Sequence, residues 1–110
     1  MRHWCVLQIH RQCSKELGKL SLDVKGDLAD AIARLEEGHT LSMPLSRPMP
    51  SIGKGVHELR FRDRAGIYRV IYFYAGASVI WLLHAFTKKT QATSKQNIEI
   101  AKKRLNEVKS

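Results

Sequence analysis

Three basic residues fall within or just after segments whose composition predicts β-strands, and these side chains are the best suited to chemistry. Arg60 lies in "HELRF", Arg69 in the middle of "IYRVIYFY", and Lys88 two residues after "VIWLLHAF". Because successive side chains of a strand point to opposite faces, Arg69 shares its face with hydrophobic residues, where an unpaired guanidinium is costly. Arg69 therefore has either a salt-bridge partner, Glu58 or Asp63, or an anionic ligand.

We expect the three cations to lie together on one sheet face and to bind an anion such as a phosphate. The strand register is not fixed by the sequence, so this convergence is a hypothesis. Two histidines are candidates for proton transfer. His84 shares a strand face with Lys88 and is either a hydrogen-bonded core residue or an acid or base of the site. His57 is either an acid or base of the site or a solvated side chain.

The chemistry is narrowed by what the sequence lacks. It contains no metal-ligand spacing, no Ser/His/Asp arrangement and no carboxylate pair in its basic half. A basic site without these groups suits cleavage of RNA by its own 2′-hydroxyl, because the substrate supplies the nucleophile. The protein then stabilises the extra negative charge and moves two protons. A lysine held among other cations has a lowered pKa and can act as the base.

Positive charge is concentrated in the second part of the chain. Up to Ser46 six basic residues balance six acidic ones, whereas after Ser46 thirteen basic residues face four acidic ones. The net charge of +9 therefore arises entirely from the second part. This asymmetry predicts a polyanionic partner such as nucleic acid, and solubility alone is the alternative explanation.

The hydrophobic pattern predicts an α+β fold made of an N-terminal strand, a helical hairpin, a three-stranded antiparallel meander and a C-terminal helix. The first strand is predicted over Trp4–Ile9, and the hairpin over residues 11–38, with Ser21 or Asp23 capping its second helix and Gly38 ending it. Residues 39–55 hold all three prolines and are predicted to be a long irregular connection. Short turns join strands at residues 56–62, 67–74 and 79–86, and Thr93 or Ser94 is expected to cap the last helix.

Length and composition favour one cytoplasmic domain over residues 1–110. A chain of 110 residues buries one modest core, and no apolar run reaches the roughly 20 residues that a membrane span needs. Cys5 and Cys13 lack the CxxC spacing and are expected to be ordinary buried thiols. The "GKG" fragment around Lys54 lacks the residues of a phosphate-binding loop, so Lys54 contributes charge at most.

The segments "HELRFRDRAGIYRVIYFY" and "VIWLLHAFTKKTQATSKQNIEIAKKRL" resemble the RelE/ParE toxin superfamily of bacterial toxin-antitoxin systems, and most closely its HigB-like, phage-derived branch. The resemblance implies a microbial-RNase-like fold and a metal-independent mRNA endonuclease without a cofactor. Such a toxin acts in the A site of the 70S ribosome and leaves a cyclic phosphate. It also implies a helix-turn-helix antitoxin that forms a hetero-oligomeric complex with the toxin.

By position, Arg69 matches the family's arginine at the scissile phosphate, Arg60 matches its "ELR" arginine, and Lys88 and Lys89 match its basic pair. Several relatives carry a catalytic tyrosine near the last helix, but this chain has no tyrosine after Tyr74. Proton transfer then falls to Lys88, Lys89 or a histidine. We expect a catalytic set of Arg60, Arg69, His84 and Lys88. Contacts to RNA or the ribosome are expected from Lys54, His57, Arg62, Arg64, Lys89 and Lys95.

Two other functions remain open at this point. One is a ParE-like toxin that poisons DNA gyrase without nuclease activity. The other is a basic nucleic-acid-binding module without catalysis. The "YR" and "KK" residues favour RNA cleavage over both.

Overall fold

The computed structural model describes residues 4–88 and 93–109. It is an α+β fold in which a five-stranded mixed sheet lies between helices, with the strand order β1-β5-β4-β3-β2. The predicted fold class is thereby confirmed. In chain order the elements are β1 (Val6–Ile9), α1 (Arg11–Leu17), α2 (Leu22–Glu36), β2 (Ser46–Pro48), β3 (Val56–Arg62), β4 (Ile67–Tyr74), β5 (Val79–Lys88) and α3 (Lys95–Lys109).

The central meander follows the predicted strands closely. β3, β4 and β5 pair antiparallel through short turns, and β5 continues two residues beyond its predicted end, so that Lys88 belongs to the strand. The β4–β5 ladder contains a bulge, because Ile71 pairs with His84 while Tyr72 pairs with Leu82. Leu83 is therefore an extra residue on β5, and it packs into the core on the face that carries Ile71.

The sheet separates two hydrophobic cores. On one face, α1 and α2 bury Cys13, Val24 and Leu35 against β3, β4 and β5. On the other face, α3 buries Ala101 and Leu105 against the start of β3 and β5 and the end of β4. Among the described residues no helix covers the opposite end of this second face, where β3 and β5 end and β4 begins.

The helix boundaries follow from capping residues. The Ser21 hydroxyl accepts a hydrogen bond from the Val24 amide at 3.2 Å and caps α2. Gly38, with φ of 86°, ends the same helix in a Schellman motif, in which the amides of Gly38 and His39 donate to carbonyls of the last turn. Ser94 caps α3 by accepting from the Asn97 amide at 3.2 Å. Of the two candidate caps for each helix, Ser21 and not Asp23 caps α2, and Ser94 and not Thr93 caps α3.

Two features of the sheet differ from the sequence-based expectation. β1 starts at Val6 instead of Trp4, and it pairs in parallel with β5 at the edge of the sheet. The segment predicted to be irregular contains β2, which pairs with β3. A three-residue strand that ends in proline has neither the length nor the alternation that marks a strand in sequence. No helix within the described residues has the length and hydrophobicity to cross a membrane.

Candidate anion-binding site

The strand register brings the predicted arginines together at the end of the sheet face that no described helix covers. Arg60 pairs directly with Arg69 across β3 and β4, and Lys88 pairs with Ile67, two residues before Arg69. All three side chains therefore belong to one face. β2 adds a fourth cation, because Arg47 pairs with Glu58, two residues before Arg60 on the same face. Like charges placed directly opposite each other destabilise a sheet, so the paired arginines require a negative charge nearby.

One carboxylate lies inside this group of cations. Glu58 is completely buried, and its Oε1 atom is 3.3 Å from Nε of Arg47 and 3.3 Å from Nε of Arg69. Its other oxygen accepts a hydrogen bond from the Thr93 hydroxyl at 2.5 Å. Arg69 thus has the salt-bridge partner that was one of its two expected explanations. We call Arg47, Glu58, Arg60, Arg69 and Lys88 the cationic cluster.

The cationic cluster has unused hydrogen-bonding capacity. Among the described residues, the buried Nε atoms of Arg47, Arg60 and Arg69 and Oε1 of Glu58 make no hydrogen bond. The 3.3 Å contacts to Glu58 therefore provide charge attraction without hydrogen-bond geometry. Buried polar atoms without partners are uncommon, and the three Nε–H groups are donors for a ligand oxygen, whereas Oε1 of Glu58 is an acceptor and would repel one.

A cleft opens next to the paired arginines. It has a volume of about 380 Å³ and is lined by Pro44, Leu45, Arg60, Phe61, Arg62 and Arg69. The Nη1 group of Arg60 donates a hydrogen bond to the Met43 sulfur at 3.6 Å. The cleft therefore gives solvent and ligands access to a surface with three guanidinium groups.

Lys88 lies at the inner end of the cluster, with only 7% of its surface exposed. Burial lowers the pKa of Lys88, the nearby Arg69 lowers it further, and the Glu58 carboxylate partly opposes both. Burial also lowers the pKa of Arg69, again against the effect of Glu58. An arginine remains protonated under such conditions, whereas a lysine gains access to its neutral form. The cluster thus combines permanent cations with one amine that can accept a proton.

His84 lies in a different group of contacts. Its Nδ1 is 3.0 Å from Glu16 and its Nε2 is 2.7 Å from the side-chain oxygen of Asn97. Arg104 binds the same Glu16 carboxylate through both of its terminal nitrogens, at 2.7 and 2.9 Å. Both ring nitrogens of His84 are therefore engaged, which matches the expected alternative of a hydrogen-bonded core residue. We call Glu16, His84, Asn97 and Arg104 the buried clasp, since it joins α1, β5 and α3.

The structure does not bring every predicted contact residue to the cluster. His57 lies on the opposite sheet face, half-buried, where its ring stacks on Tyr72 at 5.3 Å and burial lowers its pKa. Arg62 is exposed on the same face as Arg60. The other exposed cations lie outside the sheet, in turns and at the start of α3, and these are Lys54, Arg64 and Lys95. Lys89 lies outside the described residues.

The sequence did not reveal Arg47, the full set of contacts made by Glu58, or the neighbouring Phe86. Arg47 lies in a proline-rich segment without any periodic pattern, so nothing in its surroundings indicated a strand. Glu58 was considered only as a partner of Arg69, and its contacts to Arg47 and Thr93 depend on tertiary pairing. Phe86 shares the strand face of Lys88 and is the register partner of Arg69. The alternation of β5 was the one signal that could have identified Phe86.

The described residues contain no group of three histidine, cysteine or acidic side chains placed to hold a metal ion. Cys5 and Cys13 do not form a disulfide with each other, and burial raises the pKa of the Cys13 thiol to about 12, which makes it unreactive.

The fold and sequence are similar to those of known proteins. A solved structure of the E. coli toxin RelE, a double arginine-to-alanine mutant in the free state, matches with a TM-score of 0.64. The two proteins are 20% identical, and the match covers 96% of this chain and 99% of that one. No curated protein matches the sequence. Residues 15–106 match the family described as phage-derived protein Gp49-like. Because this match spans most of the chain, the protein belongs to the Gp49-like family of phage-derived proteins.

Proposed function

We propose that this protein is the toxin of a type II toxin-antitoxin system and that it cleaves messenger RNA on the translating ribosome. The observation that carries the proposal is the direct pairing of Arg60 with Arg69, beside Lys88, on a sheet face that no described helix covers. The likeness to the E. coli toxin RelE supports the same conclusion at the level of the fold. We assign the chain to the HigB-like branch on the sequence resemblance.

The cluster supports cleavage through attack of the ribose 2′-oxygen on the neighbouring phosphorus. In this reaction the bond from phosphorus to the 5′-oxygen breaks, and the products carry a 2′,3′-cyclic phosphate and a 5′-hydroxyl. Arg60 and Arg69 stabilise the additional negative charge on the phosphoryl oxygens in the transition state, because their guanidinium groups remain charged. Two fixed cations aimed at one phosphate supply the largest contribution available in this site.

Lys88 is the residue we assign as the base that takes the 2′-hydroxyl proton. Its lowered pKa favours the neutral amine, and its place on the face of Arg69 puts it beside the phosphate. His84 is a positioning residue in this scheme, since both its nitrogens are held by the buried clasp. The leaving 5′-oxygen takes its proton from water or from a ribosomal group. Glu58 holds Arg69 in place, and its negative charge reduces the electrostatic repulsion among the cations.

The proposed partners follow from the same assignment. The substrate is mRNA in the A site of the 70S ribosome, where the exposed cations Lys54, Arg62, Arg64 and Lys95 contact RNA. A helix-turn-helix antitoxin binds the toxin in a hetero-oligomeric complex. Both partners place the protein in the cytoplasm.

The test is to express the protein in growing bacteria and to map the 5′ ends of cellular mRNA, with toeprinting on purified translating ribosomes. We expect new 5′ ends within codons that occupy the A site, and none on the same RNA without ribosomes. Intact messages together with altered DNA supercoiling would contradict the proposal and favour a gyrase poison. Intact messages with unchanged supercoiling would favour a binding module without catalysis.

A further inference from the structure

We infer that the edge of β5 next to the cationic cluster is a nucleobase-binding groove, which positions one base of the RNA while the cluster holds its phosphate. The inference rests on the proposed function in one respect, that RNA is the substrate. It adds a base-binding site to the anion site. The groove is formed by the part of β5 that β1 leaves uncovered.

The edge is open because β1 is short. β1 pairs only with Val79–Leu82 of β5, and the chain then turns away into α1. The buried clasp occupies the next positions, since Arg104 donates to the Leu83 carbonyl at 2.9 Å and the Ala85 amide donates to Glu16 at 3.0 Å. Thr87 is two residues beyond Ala85 on the same strand. By the alternation of the ladder, its amide and carbonyl therefore point away from β4, toward the same edge as the Ala85 amide. No strand formed by residues 4–88 or 93–109 pairs with β5 there.

A groove of about 260 Å³ follows this edge. Its lining residues come from α1, the turn after it and β5, and they are Glu16, Lys19, Leu20, His84, Ala85, Phe86 and Thr87. The His84 and Phe86 rings stack on each other, with centroids 4.8 Å apart and planes at 25°. The clasp fixes His84, so this stacked pair forms a rigid aromatic wall. Phe86 is partly exposed, and Thr87 and Lys19 are exposed.

This composition is that of a base-recognition site. An aromatic ring provides a surface for stacking any base, and the main-chain groups of Thr87 offer a donor and an acceptor to a base edge. The position fits a single nucleotide, because Phe86 is the register partner of Arg69 and adjacent strands lie about 4.8 Å apart. A phosphate bound by Arg69 and Lys88 therefore places its nucleoside beside Phe86. The surplus of positive charge on the same face favours a nucleotide over an uncharged ring compound.

The test is an NMR titration of the whole protein with each of the four ribonucleoside 5′-monophosphates and with ribose 5-phosphate. The sugar phosphate carries the same anion without a base. We expect each protein–nucleotide Kd to be at least tenfold lower than that for ribose 5-phosphate, and the Thr87 amide to shift only with the nucleotides. In Phe86→Leu this difference in affinity should disappear while ribose 5-phosphate binds as before. Lys19→Ala should weaken nucleotide binding about threefold, and Lys15→Ala on the same helix should not.

The outcomes separate the inference from the proposed function. If ribose 5-phosphate binds and the nucleotides bind no better, the nucleobase groove is wrong and the anion site stands. If neither ligand binds, the anion site is wrong and the inference falls with it. If Phe86→Leu does not fold, the exposed Lys19→Ala variant is the test. The inference is wrong if this variant prefers nucleotides over ribose 5-phosphate as strongly as the wild type does and if nucleotides do not shift the Thr87 amide.

Discussion

At the scale of single residues, the site depends on one buried carboxylate among four cations. Glu58 contacts Arg47 and Arg69 at 3.3 Å and accepts a hydrogen bond from Thr93. It thereby joins β2, β3, β4 and Thr93, which lies two residues before α3. Without this charge, Arg60 and Arg69 would repel each other with no compensation inside the protein. Glu58 thus makes a strongly cationic sheet face compatible with folding.

Replacing Glu58 by Gln should lower the free energy of unfolding by about 3 kcal/mol, because Arg69 would be left buried without a counter-charge. Urea denaturation measures the change. Glu99→Gln is the matched control, since Glu99 is exposed and its contact to Lys102 is long at 3.9 Å. The control should change stability by less than about 0.5 kcal/mol. A Glu58→Gln protein as stable as the wild type would show that the carboxylate does not hold the cluster together.

Replacing Lys88 by Met should stabilise the protein at pH 7 by about 1 kcal/mol, as is common when a functional charge is removed from a buried site. The pKa of Lys88 is lowered in the folded protein, so the unfolded chain binds the proton more tightly. Wild-type stability therefore rises as pH increases through the folded pKa, and the advantage of the variant should shrink with it. Thermal unfolding from pH 7 to pH 10 measures this. An advantage that grows with pH would contradict the assignment.

At the scale of elements, the sequence predicts what local chemistry determines. Ser21 and Ser94 begin helices and Gly38 ends one, all through contacts within four residues, so their roles are visible in sequence. The three meander strands are equally apparent from composition and short turns. The parallel pairing of β1, the short β2 and the bulge at Leu83 depend on contacts between distant segments, and no local pattern marks them.

The same limit applies to the candidate site. Alternation along each strand indicates which residues share a face, so Arg69 could be singled out from sequence. The direct pairing of Arg60 with Arg69 requires the register between strands, which the sequence leaves open. The separation of His57 from the cluster, by contrast, follows from the alternation along β3, because His57 and Arg60 are three residues apart. The engagement of His84 by Glu16 and Asn97 joins segments 68 and 13 residues away.

The buried clasp gives an element-scale prediction for acid stability. Burial alone would raise the pKa of Glu16, but the hydrogen bonds from Arg104, Ala85 and His84 outweigh it and lower the pKa. A carboxylate with a lowered pKa stabilises the fold above its unfolded pKa of about 4.3, and the effect disappears as pH falls through the folded pKa.

Glu16→Gln should therefore reduce the free energy of unfolding by about 3 kcal/mol at pH 7, since Arg104 loses its buried partner. The difference from the wild type should narrow below about pH 4, as the wild-type carboxylate takes up its proton. Denaturation curves at several pH values measure both effects. A difference that stays constant down to pH 2 would mean that the Glu16 charge does not contribute.

At the scale of the whole molecule, the asymmetry of charge and the asymmetry of the sheet coincide. The second part of the chain carries the whole net charge of +9, and it also forms β2 to β5 and α3. α3 covers only one end of a sheet face, and at the other end a cleft lined by Arg60, Arg62 and Arg69 opens beside the largely buried cluster. The molecule therefore has one strongly positive face that is suited to a single-stranded polyanion.

This charge distribution predicts a steep salt dependence of RNA binding. Each phosphate contact to single-stranded RNA contributes about −0.7 to the slope of log affinity against log salt concentration. Arg60→Gln removes one contact and should make the slope less negative by about 0.7. Arg34 is exposed on α2, which packs on the other face of the sheet, so Arg34→Gln should leave the slope unchanged. Fluorescence anisotropy with a short labelled RNA measures it, and equal slopes for both variants would count against the cluster as the RNA site.

The central claim is that the guanidinium of Arg69 stabilises a phosphate during RNA cleavage. The most direct measurement is the single-turnover rate of mRNA cleavage on purified ribosomes with an occupied P site and an open A site, for wild type, Arg69→Lys and Arg34→Lys. The Arg69→Lys variant keeps the charge beside Glu58 but loses the planar fork of donors, so it should fold normally. We predict a rate at least tenfold lower for Arg69→Lys and an unchanged rate for Arg34→Lys. Wild-type cleavage by a folded Arg69→Lys protein would contradict the account.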